Sequence, residues 1–421
     1  MNSVSLPNTI ASESTRFSRV LVTSLFFLWG FALNLNPILI PHLKKACQLT
    51  DTESALIDSA SYIAYFLMAI PAGLFMKRFG YKGGIILGLL LFSVGSFLFF
   101  PAAETRLYLF FLFALFVIAS GLTFLETAAN PYITKLGDPE SATQRLNLAQ
   151  SFNGLAATLA PLVGGYFILS NHEVSNTSDA KQLTQYLDQE ASLVQLPFII
   201  IGFVVLLVAA LLWKTKLPEI SESDEGVEKS NSLFKETNLM LGVVAQFFCV
   251  GAQVCVSSFF IRFSGHVAGI EQQTASYFLS AALLGFMIGR FVGTFLMKFI
   301  SPSRLLAIYS IFNIVLLLSA VTLTGKGAVY ALMGVEFFMS IMFPTIFSLS
   351  IRGLGSRTKE GSSLVIMAIV GGAIFPLIMG WISDVSNIQL AYLVPAVCYL
   401  FVLYFAIRNQ NINKVTLINI H

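Results

Sequence analysis

The chain has 421 residues, 56% of them hydrophobic and only 11% charged, with a mean hydropathy of +0.78. That composition excludes a soluble globular protein of this length, and a formal net charge of +3 gives no sign of a nucleic-acid or acidic partner. The spacing of Cys47, Cys249, Cys255 and Cys398 fits neither a metal site nor a disulfide framework.

The first twenty residues are polar, and the first apolar run starts at Val20. It ends without a small-residue cleavage site, so it reads as a retained helix and not as a signal peptide. A helix that crosses a bilayer needs about 20 mostly apolar residues. On that rule, spans fall near 20–42, 55–76, 83–102, 107–134, 144–170, 194–213, 238–262, 273–298, 303–323, 328–351, 362–383 and 390–407. The expected fold is an all-α polytopic membrane protein with twelve transmembrane helices. Two long connections, 171–193 and 214–237, are rich in Ser, Asn and acidic residues and read as mobile loops. The second divides six spans from six. It predicts an N-terminal six-helix bundle over 1–214, a cytoplasmic linker over 215–237 and a C-terminal bundle over 238–421.

Lys and Arg accumulate on the cytoplasmic side of membrane proteins. With the N-terminus inside, 18 of the 25 Lys and Arg fall in inside segments and 6 outside, and Arg290 lies within a span. Both termini are therefore expected in the cytoplasm. The halves also echo each other. Gly73-Leu-Phe-Met-Lys77-Arg78 ends span 2 and Gly293-Thr-Phe-Leu-Met297-Lys298 ends span 8. Pro161 precedes Gly165 in span 5 as Pro376 precedes Gly380 in span 11. Matches six spans apart suggest parallel repeats, which form a binding site at their interface near the bilayer midplane.

The polar groups inside the spans are the candidates for that site. Glu126 lies deep in the run 107–134. A bare carboxylate at that depth costs about 2.5 kcal/mol or more, so it needs a water-filled cavity, a partner or a proton. That makes Glu126 a candidate proton carrier; the alternative is a helix–helix hydrogen bond. Span 1 offers Trp29, Asn34, Asn36 and Pro37. The two Asn point about 200° apart on a regular helix, so one at most faces a shared cavity unless Pro37 breaks the helix. Span 5 offers Asn147, Gln150, Ser151 and Asn153, with Gln150 and Asn153 three apart on one face. Amides donate and accept, which suits sugar hydroxyls. Trp29, Tyr62, Tyr65 and Phe152 could stack on a sugar ring. In the second half stand Gln253, Ser257 and Ser258 on span 7, Arg290 on span 8 and Glu336 on span 10. Arg290 is near enough to the inner end of its span to snorkel, and reads as structural or as part of an inner gate with Lys77 and Arg78. Glu336 could hold a second proton or pair with a cation.

No phosphate-binding loop, zinc-protease motif or nucleophile elbow is present. The chain is therefore expected not to be an enzyme, and energy would come from an ion gradient or from the substrate's own. No metal or organic cofactor is expected.

Phe27-Leu-Trp-Gly-Phe-Ala-Leu-Asn34-Leu-Asn36, Leu125-Glu126-Thr-Ala-Ala-Asn130-Pro131, Asn147-Leu-Ala-Gln-Ser-Phe-Asn153 and Phe343-Pro-Thr-Ile-Phe-Ser-Leu349 resemble the fucose:proton symporter family of the major facilitator superfamily. The resemblance runs through nearly the whole chain. It implies alternating access and proton-driven monosaccharide uptake by a monomer in the inner membrane of a bacterium. By that resemblance Glu126 matches a protonatable Glu, Asn34 a sugar-site Asn, and Gln150 and Asn153 a polar pair. Asn130 and Asn147 belong to the same motifs. Two positions depart: Pro37 stands where the family has an Asp implicated in coupling, and Ser257 where it has a Trp. The first leaves Glu126 as the coupling carboxyl, with H+ or Na+ as the ion. The second leaves the sugar open among fucose-like sugars, hexoses and N-acetylglucosamine. A transport-inactive sugar sensor is the reading from another class.

Overall fold

The computed structural model describes residues 8–49, 53, 56–168, 180–215, 217 and 233–418. Among them there are no strands. The helices are α1 (Asn8–Leu33), α2 (Asn36–Ala46), α3 (Leu56–Thr105), α4 (Tyr108–Lys135), α5 (Ala142–Ile168), α6 (Ala180–Ser192), α7 (Gln195–Lys214), α8 (Thr237–Ala268), α9 (Gln272–Leu296), α10 (Pro302–Thr322), α11 (Lys326–Met339), α12 (Met342–Ser350), α13 (Thr358–Met367), α14 (Gly371–Val385), α15 (Ile388–Ala391) and α16 (Leu393–Ile418). Hydrocarbon offers no partner for a free N–H or C=O, so an isolated apolar run can only cross it as a helix.

Among the described residues nine helical stretches are long and apolar enough to cross a membrane. One of them crosses twice: α3 reverses at Gly80, whose φ of 71° is accessible to Gly at little cost. The α1–α2 pair and α5 complete the twelve crossings. Span 1 is broken at Asn34–Leu35, and Pro37 sits in the first turn of α2, where its missing N–H costs nothing. Span 10 breaks between α11 and α12, and span 11 at a 3-10 turn over Ala368–Val370.

The expected loop over 171–193 is only partly a loop. Residues 180–192 form α6, with Leu187, Glu190 and Ala191 buried. Glu190 pairs with Lys45 at 3.3 Å and Asp188 with Arg106 at 3.0 Å, which ties α6 to the ends of α2 and α3. Residues 171–179, 216 and 218–232, where mobility was also expected, lie outside the described residues.

The apolar side chains gather in two cores. One is built on α1–α5 and α7, the other on α8–α12 and α14–α16. Phe347, Ile351, Leu354 and Val365, from the second half of the chain, pack into the first core. The halves therefore meet through α12 and α13 at the end of the bundle that carries Lys77, Lys135 and Arg357.

At the centre of the first core runs α4, buried at every position from Ile118 to Thr134. Three of its hydroxyls bond back onto the helix: Ser120 donates to Phe116 O at 2.7 Å, Thr123 to Ala119 O at 2.8 Å and Thr127 to Thr123 O at 2.6 Å. Small residues let α3 come close. A Cβ on Gly121 would stand 2.5 Å from Gly88 O, and one on Gly88 would stand 2.8 Å from Gly121 O. Backbone cannot yield as a side chain can. Gly121→Val is therefore expected to cost 1–3 kcal/mol or more from overpacking, read as a lower thermal midpoint and a smaller monodisperse yield in detergent.

Candidate functional site

Where α1, α3, α4 and α5 face α8, α9 and α11, the bundle encloses a cavity of about 420 Å³. Trp29, Asn34, Glu126, Gln150, Asn153, Gln253, Arg290 and Glu336, all singled out from sequence, line it.

Glu126 is the one acidic side chain of the buried α4, and it cannot bond back onto its own helix as the threonines do. It takes its donor from α3: Tyr65 Oη donates to Glu126 Oε1 at 2.6 Å, both side chains being buried. Among the described residues no cation lies within ion-pair distance of it. One turn further along α4 stands Asn130. It does not line the cavity; its Oδ1 accepts from Gln150 Nε2 at 3.3 Å and so braces Gln150 from behind. On α1, Asn34 donates to Gly30 O at 2.7 Å at the point where that helix ends. Asn153 packs on Gly30, where an added Cβ would meet Asn153 Cγ at 2.8 Å. Trp29 lies against Phe26 with ring centroids 4.2 Å apart, and its indole N–H has no hydrogen-bond partner among the described residues. Across the cavity Ser257 Oγ donates to Glu336 Oε1 at 2.7 Å.

Other expected residues stand elsewhere. Asn147 lies below the cavity, where its Nδ2 donates to Thr143 O at 3.0 Å and to Thr345 Oγ1 at 3.1 Å. Phe152 faces outward and lines a separate apolar groove of about 730 Å³ with Val20, Phe27 and Val208, so it is no stacking partner in the cavity. The side chain of Asn36 lies outside the described residues.

Arg290 does not snorkel. It is buried, with Nε donating to Ser340 O at 2.8 Å, Nη1 to Gln150 O at 2.7 Å, and Phe286 beneath the guanidinium at 4.5 Å. The Gln150 bond ties the C-terminal half to the helix that carries the amide wall. Sequence reasoning missed Tyr65 as a hydrogen-bond donor; a phenol among apolar neighbours on α3 was the available signal.

Between the cavity and the basic end the halves are joined by short polar contacts. Ser362 donates to Thr127 O at 2.8 Å, Gln144 to Thr294 O at 3.1 Å, and the Thr143 and Ser348 hydroxyls lie 2.8 Å apart. At the surface Lys77 Nζ bonds Glu360 Oε1 at 2.6 Å, which raises the lysine pKa. Lys77 is 69% exposed. Lys77→Ala is therefore expected to shift the balance of conformations by less than about 1 kcal/mol, as read by a spin-label distance between the basic ends. Arg78 is also exposed there, over the Phe79 ring.

A sequence model described as Major Facilitator Superfamily matches residues 20–368. A glucose/galactose transporter of Brucella abortus biovar 1 is 41% identical over 403 residues, 95% of each chain. The L-fucose-proton symporter of Escherichia coli K12 is 42% identical over 400 residues, covering 92% of this chain and 91% of that one. The crystal structure of a major facilitator superfamily transporter, FucP, in the outward conformation superposes with a TM-score of 0.86 at 41% identity, over 94% of this chain and 99% of that one.

Proposed function

This chain belongs to the major facilitator superfamily, and from that premise we propose that it imports a monosaccharide, fucose-like or hexose, by proton symport through alternating access. The observation that carries the reading is Glu126: a buried carboxyl, held by Tyr65 and in no ion pair among the described residues, on the wall of a cavity between the two halves. The cavity volume lies within the ~300–1,000 Å³ usual for small-ligand sites. Its amide wall of Asn34, Gln150 and Asn153, with Gln253 opposite, offers the mixed donors and acceptors that sugar hydroxyls need.

The cycle follows from charge. An ionised Glu126 is tolerated while water fills the cavity, and becomes costly when the cavity closes and dries. Proton and sugar together remove that cost, and the halves, 1–214 and 238–421, then rock about the site. The contacts at the basic end support an outward-facing state here. The positive-inside bias puts that end, and both termini, in the cytoplasm of a bacterium, with the chain in the inner membrane.

The test is uptake of labelled L-fucose, D-glucose, D-galactose, D-mannose and N-acetylglucosamine into proteoliposomes, with proton and sodium gradients imposed separately. Accumulation of at least one sugar under the proton gradient alone is expected. Accumulation under sodium alone would overturn proton coupling, and no transport of any of them would overturn the substrate class.

A further inference from the structure

We infer that Glu336 is a second proton-binding carboxyl of the transport cycle, so that two protons accompany each sugar. The inference rests on the proton symport proposed above. Glu336 is fully buried on α11 and lines the same cavity as Glu126, from the opposite half. Its Oε1 takes the Ser257 hydroxyl at 2.7 Å, while its buried Oε2 has no hydrogen-bond partner in the structure.

Among the described residues no cation lies within ion-pair distance of it. Arg290, on α9, donates instead to the carbonyls of Ser340 and Gln150. Tyr392 donates to Val256 O at 3.3 Å, and Tyr399 lies 3.4 Å from Met339 Sδ. Cys249 and Cys255 on α8 and Cys398 on α16 carry no positive charge, Arg262 on α8 lies over the Phe259 ring, and Glu126, Tyr62 and Tyr65 are the titratable groups across the cavity. An ionised carboxylate held by one hydroxyl in a dry site is poorly compensated, whereas a protonated one is well tolerated.

The arrangement repeats that at Glu126. Each carboxyl accepts from one hydroxyl on a neighbouring helix, lacks a cation, and borders the cavity from spans six apart in the chain, α4 and α11. A Glu kept only to join two helices would have no reason to leave its second oxygen unpartnered at the cavity wall. The proton is taken from water on the side to which the cavity opens and is released when the halves rock and the wall is rehydrated from the other side.

The test is the steady-state accumulation ratio of labelled D-galactose and L-fucose in proteoliposomes of the full chain, as the proton-motive force is varied. Each coupled proton multiplies the ratio tenfold per about 59 mV. The wild type is expected to gain a hundredfold per step, and Glu336→Gln tenfold. A tenfold step in the wild type overturns the second proton while leaving the symport reading intact, and it decides the matter even if Glu336→Gln does not fold. A hundredfold step in both places the second proton elsewhere and overturns the role of Glu336. No dependence on the proton-motive force overturns the symport reading itself.

Discussion

Glu126→Gln is expected to cut accumulation of sugar against its gradient at least tenfold at a proton-motive force of about 59 mV, while leaving counterflow, the exchange of labelled for unlabelled sugar, within about threefold of the wild type. The amide has the carboxyl's shape and its oxygen can still accept from Tyr65 Oη, so the 2.6 Å contact and the packing of α3 on α4 survive. What is lost is the ability to gain and release a proton. In the wild type an ionised Glu126 opposes occlusion by about 2.5 kcal/mol or more, a factor of about 60 between the loaded and unloaded carriers. The amide removes that penalty, so a proton at this position no longer has to accompany the sugar and its share of the gradient no longer drives uptake. Full accumulation in Glu126→Gln vesicles would contradict this role.

Arg290→Gln carries the second large effect. Two charge-assisted hydrogen bonds, worth about 1.5–3 kcal/mol each, hold Arg290 to Ser340 O and Gln150 O. Gln is shorter and cannot span both. The bond to Gln150 is made between halves, so its loss weakens the closed basic end and frees the helix that carries Gln150 and Asn153. Transport is expected to fall at least tenfold, and a spin-label distance between α5 and α9 at that end should broaden toward longer values. Because Arg290 is buried, the variant is expected to be less stable as well, so the distance measurement, and not yield, reports on the gate. An unchanged distance distribution together with unchanged transport would show that the bond has no part in closure.

The twelve spans were legible because hydrocarbon leaves an apolar run one backbone solution. Glu126, Asn34, Gln150 and Asn153 stood out for a related reason: a polar side chain in such a run needs a polar neighbour. What periodicity could not decide was which neighbour. Asn147 and Gln150 are three residues apart on α5, yet one braces Thr345 and the other borders the cavity, a division made by helices more than a hundred residues away. The Tyr65–Glu126 bond joins residues 61 apart and depends on the reversal at Gly80 and on the close fit of Gly88 with Gly121. Arg290 read as a snorkelling side chain because its distance from the span end was visible and its partners on α5 and after α11 were not. The short helix α6 was passed over because it is too polar to span. Its buried stripe of Leu187, Glu190 and Ala191 follows a helical period that a search for apolar runs does not weigh.

The most direct measurement of proton–sugar coupling is the pH of a lightly buffered medium outside de-energised proteoliposomes when a transported sugar is added. A transient alkalinisation is expected to follow sugar uptake and to fall by at least half in Glu126→Gln. Sugar uptake at the wild-type rate with no change in external pH would contradict it.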